Sequence, residues 1–159
     1  MMRAIITGTF DPVTIGHESL IKRASLLFDE VIVLMCQNFD KVTLFSPEMR
    51  FELVKLTAQS FPNVKAERHE GWLYEYLKKT ENSVLFKGVR DSRDLEYEKK
   101  MAEFNFEHSG VETIFAFADK NTSEVSSTLV RNAMKEGKDW LKFIPQIAQK
   151  KAEYFYEIL

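Results

Sequence analysis

The chain has 159 residues, of which 45% are apolar and 29% charged, and its net charge is −2. These values predict a single domain, residues 1–159, large enough to bury a substantial core. The near-neutral charge gives no electrostatic reason to expect nucleic acid or an anionic membrane as a partner. Cys36 is the only cysteine, which excludes an intramolecular disulfide. No signal-peptide pattern and no apolar run of about 18 residues occurs, so we expect a cytoplasmic protein.

Strand and helix patterns alternate along the whole chain. In chain order, the predicted elements are a strand at 3–7, a helix at 16–28, a strand at 30–36, a helix at 46–60, a strand at 64–68, a helix at 72–79, a strand at 83–87, a helix at 94–107, a strand at 112–118, and helices at 126–136 and 144–158. Such alternation is typical of a parallel sheet covered by helices. The predicted fold class is α/β, a Rossmann-like, doubly wound, five-stranded parallel sheet with helices on both faces.

Three stretches rich in polar residues or glycine each follow a predicted strand, at 8–17, 88–93 and 119–128. Ligands of open parallel sheets bind beyond the carboxyl ends of the strands, so we expect these stretches to form one site. The first stretch reads GTFDP at 8–12 and TIGH at 14–17. Thr14 is the predicted N-cap of a helix whose first N–H groups attract anions. We expect Gly16 to let a phosphate approach the backbone and His17 to donate a hydrogen bond to a charged oxygen.

The first stretch resembles the GxFDPxTxGH motif of the nucleotidyltransferase superfamily, whose members move an adenylyl or cytidylyl group onto a phosphorylated acceptor. Further along the chain, KGVR at 87–90, DLEYE at 94–98 and VSSTLVR at 125–131 narrow the resemblance. These segments are similar to the (R/K)GxR, D(F/L)EYE and ISSSxxR segments of bacterial phosphopantetheine adenylyltransferase. The resemblance covers essentially the whole chain. It implies transfer of the adenylyl group of ATP to 4′-phosphopantetheine, giving dephospho-coenzyme A and pyrophosphate in coenzyme A biosynthesis.

The residue types present suit that reaction. The attacking group is a phosphate oxygen that is already ionised near neutral pH, so it needs no general base. Catalysis then depends on in-line positioning and on neutralising negative charge at the α-phosphate. The motifs accordingly supply cations and helix starts, and they contain no Ser-His-Asp set and no Cys-His pair.

The resemblance implies three catalytic residues, which are His17 at the α-phosphate, Lys41 at the attacking phosphate and Arg90 at the ATP phosphates. The residues expected to bind ATP are Thr9, Phe10, His17, Gly88, Val89, Arg90, Glu98, Thr122, Ser123, Glu124, Val125, Ser126, Ser127 and Thr128. The residues expected to bind 4′-phosphopantetheine are Thr9, Lys41, Leu73 and Lys87. The last three ATP residues are expected to offer hydroxyls and helix-start N–H groups to the outer phosphates.

Lys87 departs from the family pattern, because many members carry Arg at this position. The point charge of Lys lacks the guanidinium fork, so we expect a weaker grip on the acceptor phosphate. The resemblance also implies Mg²⁺ as the cofactor that accompanies ATP, held mainly by phosphates and water without a protein metal site. It implies a homohexamer as well. Apolar residues on several sides of the 94–107 helix, among them Tyr97 and Phe104, agree with contacts to other subunits.

The residues by themselves leave other functions open. The acceptor could be nicotinate or nicotinamide mononucleotide, or a phosphorylated alcohol used with CTP. The Glu-Tyr-Glu segment at 96–98 and the apolar pair Trp72 and Leu73 favour the pantetheine arm. A nucleotide-binding regulatory module without turnover would have no need of His17. An RNA binder related to aminoacyl-tRNA synthetases would be expected to carry a basic stripe.

Overall fold

The computed structural model describes residues 1–37 and 41–159. Strands and helices alternate through the described residues. They are β1 (Arg3–Gly8), α1 (Ile15–Leu27), β2 (Glu30–Gln37), α2 (Pro47–Ala58), β3 (Val64–Glu70), α3 (Leu73–Leu77), β4 (Ser83–Val89), α4 (Ser92–Ser109), β5 (Thr113–Phe117), α5 (Ser127–Lys135) and α6 (Gln149–Glu157). The predicted alternation is confirmed. β1 and β4 extend one and two residues beyond their predicted ends, so Gly8, Gly88 and Val89 belong to strands.

The five strands form one parallel sheet in the order β3-β2-β1-β4-β5. β1 lies at the centre, where Ile5 pairs with Ile32 of β2 on one side and with Leu85 of β4 on the other. The chain winds outward from β1 in one direction through β2 and β3, then returns to β4 and winds in the other direction. The strand order therefore reverses between β1 and β4, which is where a ligand crevice forms in such sheets.

Apolar side chains on both faces of the sheet are buried under helices. Ala4 and Ile6 of β1 belong to the larger core cluster, which also contains Ile21 of α1 and Leu53 of α2. Ile5, between them in sequence, points to the opposite face and packs in a smaller cluster that includes Leu77 of α3. This alternation follows from the two-residue period of a strand. Helices on both faces confirm the doubly wound α/β prediction.

The carboxyl-terminal helix is shorter than predicted. The expectation of one helix over 144–158 is wrong, because two short 3₁₀ turns, Leu141–Phe143 and Gln146–Ala148, precede α6 at Gln149. Pro145 explains why the helix does not include Ile144. Proline disfavours helical backbone at the preceding residue, and Ile144 is extended with ψ 139°.

Among the described residues, no helix combines the length and the apolar character needed to cross a membrane.

Candidate active site

Two adjoining clefts open at the carboxyl ends of β1 and β4. The first has a volume of about 260 Å³ and the second of about 290 Å³. His17 and Ser127 line both clefts, so they stand where the clefts meet. Of the predicted site residues, the first cleft is lined by His17, Lys87, Gly88, Arg90, Glu98, Thr122, Ser123, Val125, Ser126 and Ser127. The second is lined by Thr9, Phe10, His17, Lys41, Ser127 and Thr128.

His17 is held in one orientation and one tautomer by the start of α1. Thr14 is the N-cap, and its hydroxyl accepts a hydrogen bond from the His17 N–H at 3.4 Å. In return, the Thr14 N–H donates to Nδ1 of His17 at 3.0 Å, which completes a capping box. Since a backbone N–H can only donate, Nδ1 is the acceptor and the neutral ring carries its proton on Nε2. The free donor of His17 is therefore Nε2–H.

Burial keeps this imidazole neutral. It lowers the pKa of His17 to about 4, since the low-polarity surroundings disfavour the charged form. The ring of Phe10 contributes to these surroundings, lying edge-on to the imidazole with 4.9 Å between ring centroids. Near pH 7 His17 thus presents a neutral, fixed hydrogen-bond donor at the junction of the clefts.

Gly16 allows close packing between two chain segments. A Cβ atom at this position would lie 3.1 Å from the Val125 carbonyl oxygen and 3.5 Å from that of Thr122. The missing side chain therefore lets the 122–125 segment pack against the start of α1. Gly16 also lines the first cleft, so its expected approach to a phosphate stays a prediction.

Phe10 lies beneath the second cleft, with only 2% of its surface exposed. Its backbone has φ 51°, in the left-handed region, and its ring packs in the main core. The ring therefore supports His17 from below, and its predicted place beside the nucleotide stays a prediction. Thr9 lines the same cleft, and its carbonyl is held by Arg50 at 2.8 Å.

The hydroxyls at the start of α5 all have protein partners. Ser126 is the N-cap and accepts a hydrogen bond from the Leu129 N–H at 3.1 Å. Ser127 donates to the Pro12 carbonyl at 2.7 Å, and the Thr128 hydroxyl accepts from Arg131 at 3.1 Å. Ser126 and Thr128 act as acceptors in these bonds and keep their O–H donors, so this region offers helix-start N–H groups and two hydroxyl donors to a ligand, whereas the Ser127 O–H is already used.

Ion pairs characterise the β4 side of the first cleft. Arg90 donates from Nε to Asp94 at 2.7 Å and from Nη2 at 3.3 Å, and these hydrogen bonds raise the pKa of Arg90 and lower that of Asp94. Lys87 lies 3.8 Å from Glu98, so two side chains that are both predicted to contact substrates form an ion pair with each other. Nearly half of the Arg90 side chain is exposed. Incoming phosphates can therefore compete with these carboxylates for the cations.

Three predicted residues lie outside the lining of both clefts. The Val89 side chain is buried, and its carbonyl already accepts a hydrogen bond from the Ala118 N–H, so neither is free to contact a ligand. Glu124 is exposed in the turn before α5. Leu73 packs with the smaller core cluster beneath α3. Leu85 of that cluster and Lys87 are two residues apart on β4, so Leu73 covers the sheet face that carries Lys87.

The sequence reading missed two residues that help to form the second cleft, Arg131 and Asp11. Arg131 donates to the Asp11 carbonyl at 2.7 Å and lies 3.7 Å from its carboxylate. Both residues are part of quoted motifs, FDP for Asp11 and the final Arg of SSTLVR for Arg131. That motif position was the available signal.

Comparisons with known proteins agree on the family of this chain. The cytidylyltransferase-like family model matches residues 5–133. A phosphopantetheine adenylyltransferase of Clostridium novyi strain NT is 43% identical over 138 residues, covering 86% of either chain. That of Phocaeicola vulgatus is 37% identical over 146 residues, covering 92% of this chain and 97% of the relative. The chain belongs to the phosphopantetheine adenylyltransferase family.

Further comparisons agree with this family at the level of length and fold. The phosphopantetheine adenylyltransferase of Christiangramia forsetii is 34% identical over 151 residues, covering 95% of this chain and all of the relative. A crystal structure described as a nicotinate-nucleotide adenylyltransferase from Vibrio parahaemolyticus superposes with a TM-score of 0.60 at 21% identity. It covers 96% of this chain and 99% of its own. This structural likeness shows the shared fold alone, whereas the sequence relatives show the family.

Proposed function

We propose that the protein transfers the adenylyl group of ATP to 4′-phosphopantetheine, forming dephospho-coenzyme A and releasing pyrophosphate. One observation carries the proposal. The neutral Nε2–H donor of His17 stands between a cleft lined by most of the predicted ATP residues and a cleft lined by Lys41. The relatives named phosphopantetheine adenylyltransferase indicate the acceptor.

The proposed reaction is an in-line displacement at the α-phosphorus. An ionised oxygen of the acceptor phosphate forms a new bond to this phosphorus, and the bond to the oxygen bridging the α- and β-phosphates breaks. Pyrophosphate leaves with the electron pair, and no proton has to be removed from the nucleophile. His17 donates from Nε2 to an α-phosphate oxygen as charge builds up on it. A neutral imidazole suits this role because it gives up no proton and keeps its direction.

The remaining roles are those that the family resemblance implies for these residues. Arg90, the Gly88 and Val89 backbone, Glu98 and the 122–128 segment bind ATP, together with Thr9 and Phe10 next to His17. Lys41 and Thr9 hold the attacking phosphate in the second cleft, Lys87 supports it from the first, and Leu73 contacts the pantetheine arm. Mg²⁺ arrives with ATP. We expect the ATP phosphates and water to hold this ion.

The test is pyrophosphate release from Mg·ATP with 4′-phosphopantetheine, with nicotinamide mononucleotide, and with no acceptor. Release only with 4′-phosphopantetheine is expected. Release only with the mononucleotide would keep the role of His17 and replace the acceptor. Measurable ATP binding without release would leave a non-catalytic nucleotide-binding module. Replacing ATP by CTP in parallel reactions tests the choice of nucleotide.

We also propose that the chain assembles as a homohexamer through α4 and β5. β5 is an edge strand of the sheet, and its Phe117 is 77% exposed. On α4, which precedes β5 in the chain, Tyr97 is 65% exposed. Large exposed apolar groups on neighbouring elements are typical of contact surfaces. Sedimentation should show hexamers for the wild type, dissociation for Phe117→Lys, and hexamers for Leu26→Lys, which changes an equally exposed leucine on α1.

The cytoplasmic location and the single-domain organisation over 1–159 stay predictions. Cell fractionation and limited proteolysis test them respectively.

A further inference from the structure

A buried carboxylate joins two chain segments that carry proposed catalytic residues. Asp11 follows β1, and only 4% of its surface is exposed. Its Oδ2 accepts a hydrogen bond from the Leu44 N–H at 2.8 Å, and its Oδ1 accepts one from the Phe45 N–H at 2.9 Å. The segment between β1 and α1 is thereby fastened to the segment that precedes α2.

Two arginines strengthen the same junction. Arg50 of α2, which is 3% exposed, donates to the Thr9 carbonyl at 2.8 Å and to the Phe45 carbonyl at 3.2 Å. Arg131 of α5 donates to the Asp11 carbonyl and adds a positive charge 3.7 Å from the carboxylate. Asp11 is therefore the point at which the segment after β1, the segment before α2 and helix α5 meet.

The joined segments carry Lys41 and His17. Lys41 stands three residues before Leu44, and His17 stands six residues after Asp11. Both residues line the second cleft beside Asp11. Each carboxylate oxygen of Asp11 already accepts a backbone N–H, and its negative charge would repel a phosphate. Asp11 therefore acts on the reaction through the residues that it holds.

We infer that Asp11 is a positioning residue, which sets the distance between Lys41 and His17 at which the attacking phosphate fits. The inference rests on the proposed function, in which these two residues act on the reacting phosphates. Asp11→Asn tests it, because the amide nitrogen would face a backbone N–H, two donors would oppose each other, and one hydrogen bond would be lost. The loss of this bond lets the segment that carries Lys41 move relative to His17, so we expect roughly a 10-fold rise in the KM for 4′-phosphopantetheine. The KM for ATP should change much less, and kcat should fall.

Asn63 provides a matched control at the opposite end of the sheet. Its Nδ2 donates to the carbonyls of Ser25 at 2.9 Å and Phe28 at 3.0 Å, which also joins two segments. Asn63→Asp replaces an amide by a carboxylate, the reverse of Asp11→Asn, and breaks these hydrogen bonds far from the clefts. It should lower the melting temperature while leaving both KM values unchanged.

A double-mutant cycle with Lys41→Ala separates positioning from general destabilisation. If Asp11 acts through Lys41, Asp11→Asn should have less than about a 3-fold effect on kcat/KM in the Lys41→Ala background. Asn63→Asp should have the same small effect in both backgrounds. An undiminished effect of Asp11→Asn in the Lys41→Ala background would overturn the inference while leaving the proposed function intact. So would unchanged kinetics of Asp11→Asn alone.

The same cycle on the dissociation constant of 4′-phosphopantetheine, measured by calorimetry, requires no turnover. Wild-type protein that neither binds nor adenylylates this acceptor would overturn the proposed function, and the inference with it. Melting curves establish that each variant is folded. If Asp11→Asn does not fold, Asp11→Ser replaces it in the cycle, since its hydroxyl can accept one of the two backbone N–H groups.

Discussion

The two sides of the site are stabilised in different ways. On the β1 side, His17 and Asp11 are held by hydrogen bonds from backbone N–H groups within the protein. On the β4 side, Arg90 and Lys87 are paired with carboxylates, and the Arg90 side chain is 47% exposed. Exposed ion pairs contribute about 0–1 kcal/mol and exchange readily. The β1 side is therefore fixed before a ligand arrives, whereas in the proposed reaction Arg90 on the β4 side exchanges its carboxylate partner for a phosphate.

The electrostatics of the two sides differ accordingly. Burial keeps His17 neutral by lowering its pKa to about 4, whereas hydrogen bonding to Asp94 raises the pKa of Arg90. A neutral, directional donor can bind the α-phosphate oxygen on which charge builds up, and permanent cations can bind the outer phosphates. In the proposed reaction, the β1 side therefore contributes to the transition state and the β4 side to binding.

The largest expected effect comes from removing the fixed donor. His17→Ala should lower kcat by ~10²-fold or more, with a much smaller change in the KM for ATP, because the hydrogen bond strengthens as charge develops. Steady-state kinetics with both substrates varied measures this. His108→Ala, which removes an exposed histidine from α4, is the control. Unchanged kcat with weakened ATP binding would show that His17 contributes to substrate binding and not to the transition state.

Removing Arg90 from the β4 side should affect substrate binding more than turnover. Arg90→Ala should raise the KM for ATP by about 10-fold, since charge-assisted hydrogen bonds contribute about 1.5–3 kcal/mol, and should change kcat less. Arg93→Ala makes the same change of charge three residues away, at an exposed position outside both clefts, and should leave the KM for ATP unchanged. If Arg90→Ala lowered kcat alone, the proposed division between the two sides would be wrong.

The buried neutral state of His17 predicts a dependence of stability on pH. Its pKa falls from 6.5 to about 4 on folding, so the unfolded chain takes up the proton first as the pH decreases. The contribution to stability is complete well above pH 6.5 and is lost progressively as the pH falls through 6.5 towards 4. Between pH 7.5 and 5.5 this amounts to about 1 kcal/mol, at about 1.36 kcal/mol per pKa unit.

His17→Gln is the reference for this measurement. A Gln at the third helical position can keep the capping box with Thr14 and does not titrate. Denaturant unfolding at both pH values should show the wild type losing about 1 kcal/mol more than His17→Gln, since the other titrating groups are common to both. Parallel losses would show that burial does not hold His17 neutral.

The smallest expected effect concerns Lys87. Lys87→Arg should lower the KM for 4′-phosphopantetheine by about 2- to 5-fold, because the guanidinium fork can bind a phosphate through two hydrogen bonds. Lys100→Arg at an exposed position of α4 is the control. A higher KM in Lys87→Arg would indicate that the shorter reach of the ammonium group beside Glu98 is what the site requires.

Local patterns were sufficient to predict the elements and the helix starts of the site. Thr14 is the predicted N-cap of α1, and the helix predicted from residue 126 begins at Ser127 with Ser126 as its N-cap. Pro145 shows the limit of this approach, because the predicted helix included Ile144 and Pro145, whereas a 3₁₀ turn at Gln146–Ala148 precedes α6 in the structure. The effect of a proline on the residue before it depends only on neighbours in the chain, so it can be inferred from the sequence.

The α/β alternation, the family motifs and the placement of His17 in the first turn of α1 could be predicted from the residues, because each depends on neighbours in the chain. The packing of Gly16 against the Val125 carbonyl and the hydrogen bonds of Asp11 to Leu44 and Phe45 could not, because they arise from the folding of distant segments. These partners are more than 30 residues apart. The reversal of strand order beside β1 brings their loops together, and no short-range pattern encodes which loop atoms then meet.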